Sequence, residues 1–381
     1  MNRRATNKLR VGVLGGGQLG MLLARALPPV CHIVGYQEST GSHPATPYFH
    51  EIIEGRGWGD ASALERFFSA CDVVLFENEF VPLELLAKLA EGKDLFLVPD
   101  LASYGVFQHK IREKEAAQRA GIPVAPWTAV ASLQEVEDFR RFHQRLVLKT
   151  ARGGYDGYGN LVVDGSTPTT KIQEFLSRGE CLAEAFVNFQ GELAVVVARS
   201  AEGVFFFPIA ETLQENNICH FVLAPARISQ ALAQKIFGAA TQLLESLDAR
   251  GVFGIEFFYG EGDEIFYNES APRPHNSAHF TLDGCDQSQF ELIARLAQGL
   301  PLSAPRLTTP VVGMLNLLGT QNGPAQLRPK ERFTALEDGK LWEYGKEHSR
   351  IGRKMGHFNL RGRDHASVLA QLQTLKQGYS L

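Results

Sequence analysis

Tyr267-Asn-Glu-Ser-Ala-Pro-Arg-Pro-His-Asn-Ser-Ala-His-Phe280 gathers a carboxylate, a guanidinium, side-chain amides and two imidazoles within a few residues. Its first residues read as the end of a strand. Pro272 and Pro274 then make the backbone irregular, because proline cannot donate a ladder hydrogen bond and biases its predecessor to extended geometry. A helix across 270–275 is excluded on the same grounds. Polar groups this dense on an irregular backbone read as a site rather than a core. His275 and His279 stand four apart, but zinc binding at that spacing needs a helix reaching back to His275. His275 is therefore expected to orient a ligand, and His279 to be structural.

Immediately upstream, residues 252–259 and 264–268 read as two strands around the turn 260–263. Their pairing sets Glu256 opposite Asn268, or opposite Glu269 after a one-residue shift. Buried like charges repel unless a cation lies between them, so Glu256, Asn268 and Glu269 are candidate Mg²⁺ ligands. Residues 230–247 form an amphipathic helix, with Leu232, Ile236, Ala239, Ala240, Leu243 and Leu247 at helical spacing. Residues 181–187 read as an apolar strand carrying Glu184, and Glu192 follows a short connector. Such a pair of acids can read an adenine amino group and ribose hydroxyls, or can be plain surface acids.

Further upstream, the strand 146–149 ends in Lys149, and a loop rich in glycine (Gly153, Gly154, Gly157, Gly159) leads to a strand at 161–163. Backbone amides of such a loop can wrap phosphate oxygens. No Gly-Lys-Ser/Thr follows, so it is not a Walker A loop, and a long hairpin is the other reading. Residues 109–120 form a charged helix containing Lys110 and Lys114. The amino-terminal third alternates strand and helix, which predicts a parallel doubly wound sheet. There Gly15, Gly17 and Gly20 satisfy G-x-G-x-x-G between strand and helix, and Glu38 follows the second strand. Dinucleotide binding, a bare tight turn, and a phosphate or sugar site using Gln18 and Leu19 all remain open there. Glu79, at the end of the strand 72–76, is either a ligand contact at the sheet's carboxyl edge or a solvated strand end.

Near the carboxyl terminus Lys346, Arg350, Arg353 and Lys354 alternate with Gly345, Gly352 and Gly356. They are either a solvated loop or the grip on a ribonucleotide phosphate. The chain has 381 residues and a net charge of −4, which predicts two or three domains and disfavours nucleic-acid binding by bulk charge. No apolar run approaches membrane length. The five cysteines are scattered without a C-x-x-C pair, which favours reduced, buried thiols and a cytoplasmic setting.

The order Lys149 with Gly-Gly-Tyr-Asp-Gly-x-Gly, Glu184, Glu192, Glu256, then Asn268-Glu269-x-Ala-Pro-Arg-x-His-Asn-Ser-x-His resembles the ATP-grasp ligases. More narrowly, it is similar to the 5-(carboxyamino)imidazole ribonucleotide synthase family of purine biosynthesis, over most of the chain from Val11 to about Leu360. The resemblance implies an α/β chain with α+β elements and an ATP-grasp fold. A Rossmann-like domain would span 1–105, and an ATP-grasp domain 106–305 with a mobile lid at about 124–187. A small closing domain would span 306–381. It implies ATP and Mg²⁺ as cofactors, 5-aminoimidazole ribonucleotide and bicarbonate as substrates, no nucleic-acid or membrane partner, and a homodimer.

Carried over by position, Lys110 and Lys149 hold ATP phosphates, and Gly154, Tyr155, Asp156, Gly157, Tyr158, Gly159 and Asn160 close over them. Glu184, Ala185, Phe186 and Val187 read adenine, Glu192 takes the ribose, and Gln214 is a further nucleotide contact. Asn268, Glu269 and Glu256 serve the metal and phosphates. Gln18, Leu19, Glu79, Tyr155, His275, Asn276, Lys346, Arg353 and Lys354 receive the ribonucleotide. Arg273 stabilises the transferring phosphoryl group, Asp156 handles a proton, and His275 and Lys346 complete the catalytic set. Lys110 replaces an arginine frequent in the family and so lacks its fork. Gln214 stands where histidine is frequent, and Arg350-Ile351-Gly352 replaces Arg-Pro-Gly. Rival readings keep the fold but use formate on glycinamide ribonucleotide, or serve as a biotin carboxylase. Others use NAD in an oxidoreductase, which leaves Lys149, Glu256 and Glu269 without a role, or retain only nucleotide binding.

Overall fold

The computed structural model describes residues 8–40, 43–153 and 159–381. The apolar run ahead of the glycines, Arg10–Leu14, becomes the centre of a five-stranded parallel sheet. Its neighbours are His32–Glu38 and Val73–Phe76, with Glu51–Gly55 and Phe96–Val98 at the edges. Successive side chains of a strand point to opposite faces. Accordingly Val11 and Val13 enter one core with Leu22 and Leu23, whereas Leu14 enters another with Val34, Phe67 and Phe76. The edge strand Glu51–Gly55 escapes the sequence reading because its acids interrupt the apolar pattern, as is common at exposed edges.

A four-stranded antiparallel sheet, ordered Trp127–Val130, Cys181–Ala185, Leu146–Thr150, Asn160–Val163, carries the helices Leu133–Arg140 and Thr169–Leu176. Val136, Leu148, Ile172 and Phe175 give it a separate core. The strand starting at Cys181 stops at Ala185, two residues short of expectation. Phe186 N–H donates to Arg145 O at 3.0 Å, and the Arg145 guanidinium sits 3.6 Å from the centre of the Phe186 ring.

Apart from the short antiparallel pair Gly323–Pro324 and His348–Ser349, the remaining strands form one nine-stranded antiparallel sheet. Ile265–Ala271, Gly251–Tyr259, Gly191–Ser200, Ala210–Glu215, Ile218–Ala224, Val311–Leu318, Lys354–Gly362 and Gly339–Glu343 follow one another, and Gly203–Phe206 pairs beside Gly191–Ser200. The amphipathic helix Gln230–Ser246 packs Leu232, Ile236, Ala240 and Leu243 against this sheet with Val195, Phe253 and Phe257. The carboxyl-terminal strands are not a separate layer: Val311–Leu318 bonds directly to Ile218–Ala224. The two antiparallel sheets face each other across a cleft of about 330 Å³.

Candidate active site

The hairpin upstream of the proline-containing segment fixes the register left open by the sequence. Glu256 pairs with Glu269, while Phe257 pairs with Tyr267, so Asn268 is the extra residue of a bulge. Both carboxylates line the cleft. Glu269 forms an ion pair with Lys110. That lysine first, and Lys149 with it, outweighs burial and lowers the Glu269 carboxyl to about 2. Glu256 has the opposite fate: burial, then the charges of Glu269 and Glu192, push it up to about 8. Its Oε1 lies 3.6 Å from His275 Nε2, and its Oε2 accepts from Asn268 Nδ2 at 3.4 Å. An acid raised so far beside a second carboxylate is suited to a divalent cation, whose charge replaces the proton. Among the described residues no cluster of three or more His, Cys, Asp or Glu side chains could hold a metal ion. The two facing carboxylates suit a Mg²⁺ ion bound through them together with phosphate oxygens.

Two lysines flank these acids. Lys149 is buried one residue before the end of its strand, with Nζ 2.5 Å from Glu184 Oε2 and 3.2 Å from Asn268 Oδ1. Lys114 pairs with the other oxygen of Glu184 and donates to Tyr267 O at 3.1 Å. Burial alone would raise the Glu184 carboxyl, but Lys114 and Lys149 together lower it. The Glu184 side chain thus spans two ammonium groups, and Ala185, Phe186 and Val187 continue along the cleft wall. Lys110 is displaced downward by burial and upward by Glu269 and Glu113, with a net rise.

Glu192 accepts from Gln214 Nε2 at 2.8 Å, and both line the cleft. Phe189 stacks on Phe258 with ring centres 4.5 Å apart, forming an apolar wall beside them. Gly159 O accepts from Thr150 N–H at 2.9 Å, and Asn160 lines the cleft. Gly154, Tyr155, Asp156, Gly157 and Tyr158 lie outside the described residues.

At the other end of the cleft stand Glu79, Arg273, His275, Asn276 and Lys354. Arg273 grips Glu79 through Nε–Oε2 at 2.5 Å and Nη2–Oε1 at 3.1 Å. The backbone of His275 is clamped by Gln289, which accepts from His275 N–H at 2.8 Å and donates to its carbonyl at 2.9 Å. His275 Nδ1 bonds Ser277 Oγ at 2.6 Å, which turns Nε2 toward Glu256. Lys346 Nζ donates to Lys354 O at 2.6 Å, and Arg353 donates to His348 O at 2.7 Å. Lys346, Arg353, Gln18 and Leu19 do not line the cleft, and the Leu19 side chain belongs to the hydrophobic core.

The glycine turn has an internal occupant. Glu77, half-buried, accepts from Gly17 N–H at 2.8 Å and from Gly20 N–H. Burial raises its carboxyl, against the two amide bonds. A Cβ at Gly15 would lie 2.0 Å from the Glu77 side chain. The place where a dinucleotide fold binds pyrophosphate is filled by the chain's own carboxylate, so the NAD reading fails. Sequence reasoning placed Glu77 only at a strand end. It named Lys114 only as part of a charged helix and passed over Glu113, although their spacing from Lys110 puts all three on one helix side. Phe189, Phe258 and Asn316 gave no local signal.

Three family models match the chain: a ribonucleotide synthetase preATP-grasp domain over residues 8–108, an ATP-grasp domain over 115–290, and a phosphoribosylaminoimidazole carboxylase C-terminal domain over 313–371. The chain is 36% identical to an N5-carboxyaminoimidazole ribonucleotide synthase of Synechococcus elongatus, covering 98% of each sequence. It is 34% identical to the enzyme of that name from Bacillus subtilis, covering 91% of this chain and 90% of the relative. Its fold superposes with a TM-score of 0.87 on N5-carboxyaminoimidazole synthase from Aspergillus clavatus in complex with ADP and 5-aminoimidazole ribonucleotide. That match has 29% identity and covers 97% of this chain and 98% of the other.

Proposed function

The chain belongs to the N5-carboxyaminoimidazole ribonucleotide synthases, a family of ATP-grasp ligases, and from that membership we propose how its own residues perform the reaction. The enzyme carboxylates 5-aminoimidazole ribonucleotide with ATP, giving N5-carboxyaminoimidazole ribonucleotide in purine biosynthesis. The observation that carries the assignment of roles is the Glu256–Glu269 pair, ringed by Lys110 and Lys149, with His275, Asn276 and Lys354 on the far side.

Phe189, Phe258 and the strand end at Ala185–Val187 receive adenine, and Glu192 with Gln214 takes the ribose. Lys110 and Lys149 hold the phosphates. Glu256, Glu269 and Asn268 hold Mg²⁺, which supplies charge neutralisation of the phosphates. A bicarbonate oxygen attacks the γ-phosphorus, the bond to ADP breaks, and carboxyphosphate forms. The exocyclic amine of the ribonucleotide then attacks the carboxyl carbon, or CO₂ released from it. Phosphate leaves, and the amine loses a proton. Arg273 stabilises the phosphoryl group by exchanging part of its grip on Glu79 for phosphate oxygens. His275 and Asn276 orient the acceptor, with Tyr155 positioning it and Asp156 taking the proton. Lys354, at the cleft, receives its 5′-phosphate, and Glu79 borders the sugar.

The proposal extends to a cytoplasmic homodimer whose domains follow the divisions 1–105, 106–305 and 306–381. No helix among the described residues is long and apolar enough to cross a membrane. Phosphate release from Mg·ATP tests the reaction: turnover is expected only with both 5-aminoimidazole ribonucleotide and bicarbonate present. Formate-dependent turnover would overturn the assigned acceptor chemistry. Retention of the normal rate in Glu269→Gln would overturn the metal assignment.

A further inference from the structure

Asn316, His357 and Trp342 lie on three adjacent strands and are cross-strand partners, Asn316 with His357 and His357 with Trp342. Directly opposed residues share one face of a sheet, so the three side chains form a row. Below them, Asn276, His279 and Asp283 follow each other at steps of three and four along the helical turns Asn276–Ala278 and Thr281–Gly284. That spacing aligns them on one side.

The two rows meet residue by residue. Asn276 and Asn316 form a reciprocal amide pair, with Asn276 Nδ2 donating at 3.0 Å and Asn316 Nδ2 donating back at 2.9 Å. The second N–H of Asn316 goes to Cys219 O at 3.0 Å, so its amide is held on both sides. The His279 and His357 rings lie 5.1 Å apart. Trp342 Nε1 donates to Asp283 Oδ2 at 2.8 Å, and its ring stacks on His357.

The middle contact has a determinable protonation pattern. Gln289 Oε1 accepts from His275 N–H, so its Nε2 is the group that donates to His279 Nδ1, at 3.0 Å. The neutral His279 ring therefore carries its proton on Nε2. That Nε2, His357 Nε2 and Asn359 Oδ1 are all buried without a hydrogen-bond partner. Asn359 Nδ2 is committed to His279 O and Asp283 Oδ2, at 3.0 and 2.7 Å.

We infer that this polar zipper sets the position of the ribonucleotide grip against the ATP-bearing segment. Lys354 begins the strand that carries His357, and His275 directly precedes Asn276. Asn316, His279, His357, Asp283 and Trp342 are thus positioning residues: they touch no substrate and act through Lys354 and Asn276. The inference rests on the proposed role of Lys354 in holding the ribonucleotide phosphate.

The test compares KM values for the two substrates in Asn316→Leu and Trp342→Phe. Asn316→Leu is expected to raise KM for 5-aminoimidazole ribonucleotide tenfold or more and KM for ATP less than twofold. Trp342→Phe keeps the stack on His357 and should shift the same constant in the same direction, less strongly. If Asn316→Leu does not fold, Trp342→Phe carries the test alone. Equal shifts in both KM values, or an unchanged ribonucleotide KM in Trp342→Phe, overturn the inference. Wild-type turnover is measured alongside, so that a failure of the assigned reaction appears in the unaltered enzyme.

Discussion

Glu184 shows how one side chain can serve both stability and nucleotide binding. It is the shared counter-charge of two buried lysines. Removing one member of a buried ion pair typically costs about 3–5 kcal/mol, because the remaining charge is left uncompensated. Glu184→Ala is therefore expected to lower the melting temperature sharply, and thermal denaturation checks it; an unchanged melting temperature would contradict the geometry. Lys149→Met leaves Glu184 paired with Lys114 and removes a phosphate ligand. A charge-assisted bond of about 1.5–3 kcal/mol corresponds to a rise in KM for ATP of roughly ten- to hundredfold. Lys149, Glu256 and Glu269, which line the cleft, stood out in the sequence because charged residues are conspicuous within short apolar strands. Glu77 did not. A glycine turn has the same pattern whether its amides meet a cofactor or a side chain sixty positions away, and only tertiary placement separates the two.

The paired strands Gly251–Tyr259 and Ile265–Ala271 were predicted with their turn, but not their register. A bulge moves partners by one position and is invisible to a period-two pattern. The same strand pair makes a close approach that has a functional consequence. A Cβ at Gly254 would lie 2.4 Å from His275 Cβ. Gly254→Ala should push His275 away from Glu256, lowering turnover while leaving ADP affinity, measured by calorimetry, unchanged. The strand Lys354–Gly362 makes a pH prediction. Burial lowers the His357 ring from its ordinary value to about 3. The unfolded chain takes up that proton as pH falls below about 6.5, whereas the folded chain resists it until about 3. The stability contributed is complete above the unfolded value and is lost as pH falls across that interval. His357→Gln should flatten the acid limb of a melting-temperature profile; an unaltered limb would contradict the assignment.

Across the whole molecule, the parallel amino-terminal sheet and the two-strand flank of the glycine loop could be read from local pattern. The continuity of the nine-stranded sheet could not, since the pairing of Val311–Leu318 with Ile218–Ala224 joins distant segments that look alike as isolated apolar strands. This also hid Asn316, which reads as a stray polar residue in Val311–Leu318 until Asn276 is placed beneath it. The shared sheet has a consequence for anyone trimming the protein. Ending the chain near residue 305 strips Ile218–Ala224 of its neighbour and bares a long apolar edge, with Phe221, Val222 and Leu223 otherwise buried. Uncovered edges of this kind recruit other chains by strand pairing. A shortened form should therefore scatter light and sediment as large particles at concentrations where the full chain stays dispersed. A shortened form that stayed dispersed and melted cooperatively would show that the two parts are separable. As built, the enzyme is a poor candidate for dissection into exchangeable modules, and grafting a different acceptor-binding part would have to reproduce a strand seam as well as a pocket.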